Sequence, residues 1–178
     1  EQAKQGQFGT VKLLVDSDGD GRMDKAHVWA DRLPPCYGML PSGDGLVVVC
    51  APDILFLADR DGDGKAEVRE TLLTGFRREF IERGINNPRW GLDNWIYVGS
   101  GGDGGTIRGP HLKTPVTLGR TDFRIKPDGS AIEPVTGTVR TFGWGMNAIG
   151  DRFTTAGGTP VSFASSCKSP APGIPDIS

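Results

Sequence analysis

Two short acidic segments of the sequence have the residue types and the spacing of calcium ligands. The segment VDSDGDGRMD begins at Val15, and the segment ADRDGDGKAE begins 43 residues later, at Ala58. Calcium takes about six to eight oxygen ligands, so carboxylates at positions 1, 3, 5, 9 and 12 of a tight loop, with a carbonyl at position 7, can enclose one ion. A glycine after the third aspartate permits the sharp turn. Both segments are therefore predicted calcium loops.

The two loops differ in how complete their ligand sets are. The second loop offers a full set, made up of Asp59, Asp61, Asp63, the carbonyl of Lys65, Glu67 and Glu70. The first offers Asp16, Asp18, Asp20, the carbonyl of Arg22 and Asp24. His27 stands where its last carboxylate would be, so the first site is expected to be weaker or completed from elsewhere. The alternative is a pair of acidic turns without an ion, since Asp and Gly are favoured in turns.

The elements around these loops read as β-strands. Each run has four to six residues, is rich in Val, Ile, Leu or aromatic residues, and is bounded by Gly, Pro, Asp or Asn. The predicted strands are 10–15, 27–30, 45–50, 54–58, 68–73, 94–99, 123–126 and 153–156. The chain is therefore predicted to be all-β, with each acidic loop joining the two strands of a hairpin.

A second recurring element predicts how the strands are grouped. A glycine followed by Met or Leu leads through a polar turn into a strand at Gly38, Gly91 and Gly145. A period near 40 to 50 residues with about four short strands per unit is typical of a β-propeller blade. We expect two complete four-stranded antiparallel blades and a partial blade at each end, in a segment of a longer propeller. A β-sandwich is the alternative.

Under this interpretation residues 1–165 form the propeller segment, with a long loop at 100–120, and residues 166–178 form an irregular segment rich in Pro and Ser. The sequence has 20 basic and 22 acidic residues, so no positive surface for nucleic acid is expected. No run approaches the roughly 18 apolar residues of a membrane span, and the first residues do not read as a signal peptide, which suggests a mature form or a fragment.

The three cysteines, Cys36, Cys50 and Cys167, form neither a CxxC pair nor a haem-attachment sequence. Cys36 and Cys50 could bridge across about one hairpin in an oxidising compartment, or remain two buried thiols.

The segment INNPRWGLDNWIYVGSGGDGG, with the acidic loops and LPPCYGMLPSGDGLVVVCAPDILFLADRDGDGKAEVRETLLTGF, carries a family resemblance. The chain resembles the membrane-bound dehydrogenase domain proteins of planctomycetes and related bacteria, over about residues 10–153. Those proteins are similar to soluble quinoprotein glucose and sorbosone dehydrogenases, which are six-bladed propellers. The resemblance implies a bacterial protein exported to the periplasm or the cell exterior.

The resemblance also implies a chemistry. It would be oxidation of a sugar or alcohol, with electrons passing to pyrroloquinoline quinone beside calcium and then to a cytochrome c domain or protein. The family's RNP-x-GL segment corresponds to NNPRWGL, in which Asn86 replaces the arginine and Arg89 lies nearby. The implied cofactor residues are Asn86, Asn87, Arg89 and Asp93, and the implied catalytic residue is His111.

Each of these assignments has an alternative. His111 could be a solvated loop residue, and Trp90, Trp95 and Trp144 could pack between sheets instead of forming a sugar platform. For the protein as a whole, the alternative is a non-catalytic, calcium-braced propeller that binds carbohydrate or a protein partner.

Overall fold

The computed structural model of the chain describes residues 8–80, 83–135, 141–156 and 159–164. Within these residues the chain forms fifteen β-strands, and the all-β prediction is confirmed. The described residues include no helix that is long and apolar enough to span a membrane. The segment 166–178, with Cys167, lies outside the described residues. The strands are β1 Gly9–Val15, β2 Lys25–Leu33, β3 Met39–Ser42, β4 Gly45–Cys50, β5 Asp53–Ala58, β6 Val68–Phe76, β7 Asn86–Trp90, β8 Ile96–Gly99, β9 Gly105–Arg108, β10 Val116–Leu118, β11 Phe123–Ile125, β12 Ile132–Pro134, β13 Thr141–Met146, β14 Arg152–Ala156 and β15 Thr159–Ala164.

These strands form four antiparallel sheets. β3, β4, β5 and β6 are neighbours in chain order in the second sheet, and β7, β8, β11 and β12 make the third. β1 and β2 form a two-stranded first sheet, and β13, β14 and β15 form the fourth. The described part of the chain therefore contains two four-stranded units with a smaller sheet on either side in sequence. None of these sheets closes on itself, and the propeller stays a prediction.

The connection at 100–120, predicted to be a long loop, contains the hairpin of β9 and β10. β9 pairs with β6 of the preceding unit, with Thr74 opposite Arg108 and Phe76 opposite Gly105. The two chains approach so closely that a Cβ on Gly105 would lie 2.2 Å from the carbonyl oxygen of Gly75. Glycine at this position is therefore required for the hairpin to pair with β6.

The hydrophobic core is arranged in layers, and β4 shows how. Val47 and Val49 point into the main cluster, which extends to Ile96 and Phe123 of the third sheet. Val48 and Cys50 point the other way, into a cluster with residues of β1 and β2. Successive side chains of a strand face opposite sides, so the second sheet is buried between the first hairpin and the third sheet. Each fully buried valine contributes about 1.5–3 kcal/mol to folding.

The third and fourth sheets share a smaller core of Tyr97, Val135 and Trp144. The rings of Tyr97 and Trp144 lie 5.8 Å apart in a tilted arrangement, which is a favourable aromatic geometry. Trp144 is 7% exposed, so the prediction that this tryptophan packs between sheets is the one the structure supports. Consecutive sheets are thus joined face to face from the first hairpin to the fourth sheet.

Candidate metal loops and a candidate ligand cavity

The first acidic loop joins β1 to β2 and folds around the carboxylate of Asp16. This carboxylate accepts hydrogen bonds from the backbone amides of Gly19 and Gly21, at 2.8 and 2.9 Å. Both glycines have left-handed backbone angles, with φ of 77° and 87°, which other residues adopt only at a cost. The hydrogen bond from the Gly21 amide is the main cause that lowers the pKa of Asp16. The loop therefore holds this carboxylate ionised.

The second loop, between β5 and β6, repeats this geometry around Asp59. Its carboxylate accepts from the amides of Gly62 and Gly64, at 2.7 and 3.0 Å. The φ angles of these glycines are 76° and 86°, almost the same as in the first loop. The amide of Lys65 donates to Asp63 at 2.8 Å, just as the amide of Arg22 donates to Asp20 at 2.8 Å. Two loops 43 residues apart in sequence therefore have one backbone structure.

In each loop three carboxylates converge. One oxygen from each of Asp16, Asp18 and Asp20 lies within 4.8 Å of the others, and the same holds for Asp59, Asp61 and Glu67. Like charges at this separation repel, and a cation between them removes the repulsion. Calcium–oxygen distances of about 2.3–2.6 Å place ligand oxygens of one ion at such separations. The donor set, oxygen only and strongly negative, therefore fits a hard divalent cation.

The two loops differ at their ninth position. Glu67 belongs to the converging group of the second loop while also accepting from the amide of Arg60 at 2.9 Å. Asp24 of the first loop accepts the equivalent amide bond from Ser17 and, in addition, a hydrogen bond from the hydroxyl of Ser17. The hydroxyl is the larger cause of a lowered pKa of Asp24. The second loop thus presents its ninth carboxylate to the group, and the first does not.

The twelfth positions, in contrast, are strand residues. Glu70 lies in β6 opposite Phe56, and His27 lies in β2 opposite Leu13. Neither belongs to a converging group, and Asp63, which accepts from Lys65, is also outside the group of the second loop. The structure therefore brings together Asp16, Asp18, Asp20, Asp59, Asp61 and Glu67, and places Asp24, Asp63 and Glu70 beside them.

The second loop is also a contact between sheets. The amide of Ala66 donates to the carbonyl oxygen of Trp29 in β2, at 2.7 Å. Nearby, the Arg69 guanidinium donates to the backbone oxygen of Asp31 at 2.8 Å and lies 3.2 Å from its carboxylate. The second loop therefore holds the first hairpin against the second sheet, whereas the first loop lies at the exposed end of that hairpin.

A cavity of about 540 Å³ lies where β3, β7 and β13 meet. We call it the three-strand cavity. It is lined by Tyr37, Gly38, Met39, Leu40, Asn86, Asn87, Pro88, Arg89, Phe142, Gly143 and Trp144. Three of the predicted cofactor residues, Asn86, Asn87 and Arg89, are therefore in one cavity. Of the aromatic lining residues, Trp144 was a candidate of the sequence analysis, whereas Tyr37 and Phe142 were not predicted.

Asn87 holds the cavity wall together. Its side-chain amide donates to the carbonyl oxygen of Trp144 at 3.2 Å, and the indole of Trp144 donates back to the carbonyl oxygen of Asn87 at 2.9 Å. Arg89 donates to the side-chain oxygen of Asn87 at 3.3 Å. Asn87 has a φ of 51°, in the left-handed region that asparagine tolerates better than most residues. β7 and β13 are thus joined by side chains at the cavity itself.

Asp93, the fourth predicted cofactor residue, is engaged elsewhere. Its carboxylate accepts from the hydroxyl of Tyr97 at 2.9 Å and from Arg124 at 2.7 Å, and Arg124 also pairs with Glu133 at 2.7 Å. Burial, and secondarily the neighbouring carboxylate, raise the pKa of Tyr97. Asp93 therefore braces the third sheet and does not line the three-strand cavity.

His111 lies in the turn between β9 and β10. It lines a separate cleft of about 250 Å³ together with Ser42, Glu70 and Asp128. His27 and His111 are the two histidines of the sequence, and neither lines the three-strand cavity. The residue predicted to be catalytic is thus not brought together with Asn87 and Arg89.

Fold and site together define an all-β protein with two matching acidic loops and a polar, aromatic-lined cavity. The chain belongs to the family described as a domain of unknown function (DUF7133), whose model matches residues 1–169. No curated protein and no solved structure matches the chain. The matched range includes all the described residues, so the loops and the cavity both lie within the domain that defines this family.

Proposed function

We propose that this chain is a calcium-binding β-propeller segment in which each acidic loop holds one Ca²⁺ and the ions brace the hairpins. The observation that carries the proposal is the repetition of one backbone geometry around a group of three carboxylates. Asp16 and Asp59 accept the same pair of glycine amides, and each lies in a group of three carboxylates with oxygens within 4.8 Å. A turn without an ion would gain nothing from collecting three negative charges twice.

The loops support a structural role for the ion. They join adjacent strands of hairpins and lie apart from the three-strand cavity, whose lining residues include none of the loop residues. Backbone amides already orient the first and fifth positions, so little ordering remains when the ion binds. We expect the second loop to bind more tightly, because Glu67 joins its group whereas the second oxygen of Asp24 in the first loop is engaged by the hydroxyl of Ser17.

The sheet arrangement supports the propeller. β3, β7 and β13 each begin a sheet of consecutive antiparallel strands, and β7 contacts both of the others. In a propeller the first strands of successive blades lie side by side around a central channel. The three-strand cavity would then be part of that channel, and the β9–β10 hairpin would be an insertion that joins two blades.

The test of the metal proposal is a calorimetric titration of calcium into the metal-free chain. We expect two sites in the native chain and one each in the isosteric variants Asp16→Asn and Asp59→Asn, with the weaker remaining site in Asp59→Asn. Glu133→Gln makes the same change of charge on β12, away from both loops, and should keep two sites. Absence of binding, or two sites in every variant, would reject the proposal.

A second candidate function is binding of a carbohydrate or similar polyol in the three-strand cavity. Its volume of about 540 Å³ is in the usual range for small-ligand sites. Phe142, 46% exposed, offers an apolar ring, and the exposed Arg89 offers donors beside it. Rings and fixed polar groups together are what a sugar requires. Carbohydrate binding here is the non-catalytic alternative of the sequence analysis. That alternative also includes binding of a protein partner on the same face.

The dehydrogenase activity implied by the family resemblance stays a prediction, as do the cytochrome partner and the periplasmic location. Pyrroloquinoline quinone would supply a hydride acceptor, and the guanidinium of Arg89 would hold one of its carboxylates. The side-chain amides of Asn86 and Asn87, the other two implied residues in the cavity, donate to backbone carbonyl oxygens in this structure. The lining of the cavity contains no histidine to accept the proton of an alcohol. Dye reduction with a sugar panel, after adding calcium and the quinone, separates the candidates: sugar binding without turnover supports the binding protein, and turnover supports the dehydrogenase.

A further inference from the structure

Cys36 and Cys50 lie on neighbouring segments of one sheet. Cys50 ends β4 and is fully buried, and Cys36, partly buried, lies in the connection between β2 and β3. Both pack against the hydrophobic cluster that joins the first hairpin to the second sheet. Both are free thiols in the structure.

The backbone pairing places these two cysteines opposite each other. Met39 is paired with Val48, and the next residue of β4, Val49, bonds to two residues of the other segment. Its carbonyl oxygen accepts from Tyr37 at 2.9 Å, and its amide donates to Gly38 at 2.9 Å. Two residues face one, as in a β-bulge, so the following pair along the ladder is Cys36 with Cys50.

Cys36 and Cys50 are not joined by a backbone hydrogen bond. Facing residues of that kind have Cα atoms about 4.5 Å apart in antiparallel sheets, closer than hydrogen-bonded pairs. A disulfide requires Cα atoms about 4.4–6.8 Å apart. The register therefore agrees with the backbone separation that a disulfide requires.

We propose that Cys36 and Cys50 form a cross-strand disulfide that fastens one wall of the three-strand cavity to β4. The residues that follow Cys36, Tyr37 and Gly38, line that cavity. The carbonyl oxygen of Tyr37 accepts from the amide of Asn87 at 3.2 Å, so the fastened segment is also the one that contacts β7. The bond would hold the cavity wall whether or not the acidic loops bind calcium.

The oxidant is a small-molecule or protein disulfide. The thiolate of Cys36, the more accessible of the two, attacks one sulfur of oxidised glutathione, and one reduced glutathione leaves. The Cys50 sulfur then attacks the Cys36 sulfur of the mixed disulfide, its proton passes to the departing glutathione thiolate, and a second reduced glutathione is released. Two thiols are oxidised to one disulfide, and one glutathione disulfide is reduced to two thiols.

The order of attack agrees with the electrostatics. A side-chain hydrogen bond with Cys50 lowers the pKa of the Cys36 thiol. The same contact, and then burial, raises the pKa of Cys50. Thiolate character therefore resides on Cys36, which is the sulfur that meets the oxidant first.

The experiment uses the full chain with Cys167→Ser, which leaves only the two cysteines in question. The protein is equilibrated with oxidised glutathione, unfolded, treated with N-ethylmaleimide and digested with trypsin and then chymotrypsin. Trypsin yields residues 33–60 with both cysteines, and cleavage after Tyr37 then separates them. We expect two unlabelled peptides that remain joined until reduction, and we expect reduction of the folded protein to lower its melting temperature by about 5–10 °C.

The matched variant is Cys36→Ser in the same background, which keeps the buried Cys50 and should show no change of melting temperature on reduction. The proposal is overturned if both cysteines of the oxidised chain take up N-ethylmaleimide. It is also overturned if Cys36 is recovered only as its glutathione adduct, or if the chain with Cys167 intact pairs Cys167 with either of the others.

Discussion

The backbone amide of Ala66, in the second acidic loop, donates a 2.7 Å hydrogen bond to the carbonyl oxygen of Trp29 in the first hairpin. This bond joins a loop of one sheet to a strand of another. No such inter-sheet bond is found for the first loop among the described residues. The two loops share one backbone geometry, but the second is hydrogen-bonded to a neighbouring sheet whereas the first lies at the exposed end of its hairpin.

Calcium should therefore stabilise the chain mainly through the second loop. At about 100 times the dissociation constant a bound ion adds about 2.7 kcal/mol, which for a chain of this size raises the melting temperature by about 5–10 °C. Asp59→Asn should lose most of this increase. Asp16→Asn should lose less, because β1 and β2 pair with no further strand and can open locally.

Thermal melts with calcium and with a chelator measure this difference. Glu133→Gln loses its pair with Arg124 and so serves as a control for the calcium-dependent increase alone, which should equal that of the native chain. Equal losses in the two loop variants would contradict the unequal roles assigned to the loops.

Asn87 should be more tolerant of glycine than of alanine, although both substitutions delete its side-chain amide. Each loses the hydrogen bond to Trp144, worth about 0.5–1.5 kcal/mol. Alanine must in addition adopt the left-handed φ of 51°, at a further cost of about 1 kcal/mol. Urea denaturation of Asn87→Gly and Asn87→Ala measures the two costs, and a more stable alanine variant would show that the backbone angle is not imposed.

Substitutions of Arg89 and Asp93 should have different effects, one on ligand binding and the other on the free energy of unfolding. Arg89 is exposed in the three-strand cavity, so Arg89→Ala should leave the free energy of unfolding within about 0.5 kcal/mol and weaken sugar binding at least about tenfold. Asp93→Asn removes the charge that pairs with Arg124 and should cost about 1 kcal/mol or less, because both groups are partly exposed.

Sugar binding followed by tryptophan fluorescence, beside denaturation curves for the same variants, makes the comparison. Weakened binding in Asp93→Asn with native binding in Arg89→Ala would place the ligand elsewhere.

The turn between β11 and β12 should contribute a small stability that depends on pH. The hydroxyl of Ser130, and then its amide, lower the pKa of Asp128 below its ordinary 3.8. Because the folded pKa is the lower one, this contribution is complete above about pH 3.8 and is lost as the pH falls through the folded value. NMR titration of the Asp128 carboxyl should give a pKa below 3.8, and Ser130→Ala should raise it. An unchanged pKa in that variant would exclude the hydroxyl as the cause.

The parts of the fold that the sequence predicted are the locally encoded ones. Six of the eight predicted strands lie within observed strands, and the other two, 94–99 and 123–126, overlap β8 and β11. The repeated acidic loops fold alike because their glycines and aspartates determine the turn without distant help. Seven strands were missed. Pro41 in β3, Pro88 in β7 and Pro134 in β12 interrupt the apolar pattern, and all three strands are at sheet edges, where a missing amide is tolerated.

The site was predictable to the same extent. The converging carboxylates follow from spacing within nine residues. The three-strand cavity depends on the packing of segments about 50 residues apart, so Tyr37 and Phe142 could not be assigned to it from local pattern. His111 lies in the β9–β10 hairpin, which pairs with β6, and the residues around His111 in the sequence did not indicate that pairing.

The central claim is that both loops hold calcium, and the most direct test is a crystal structure of the chain grown with calcium, with anomalous scattering used to locate the ions. We predict one peak in each loop, with oxygens of Asp16, Asp18 and Asp20 around one and of Asp59, Asp61 and Glu67 around the other, at about 2.3–2.6 Å. Ordered water in place of a peak in both loops, at calcium concentrations that saturate known sites of this type, would contradict the account.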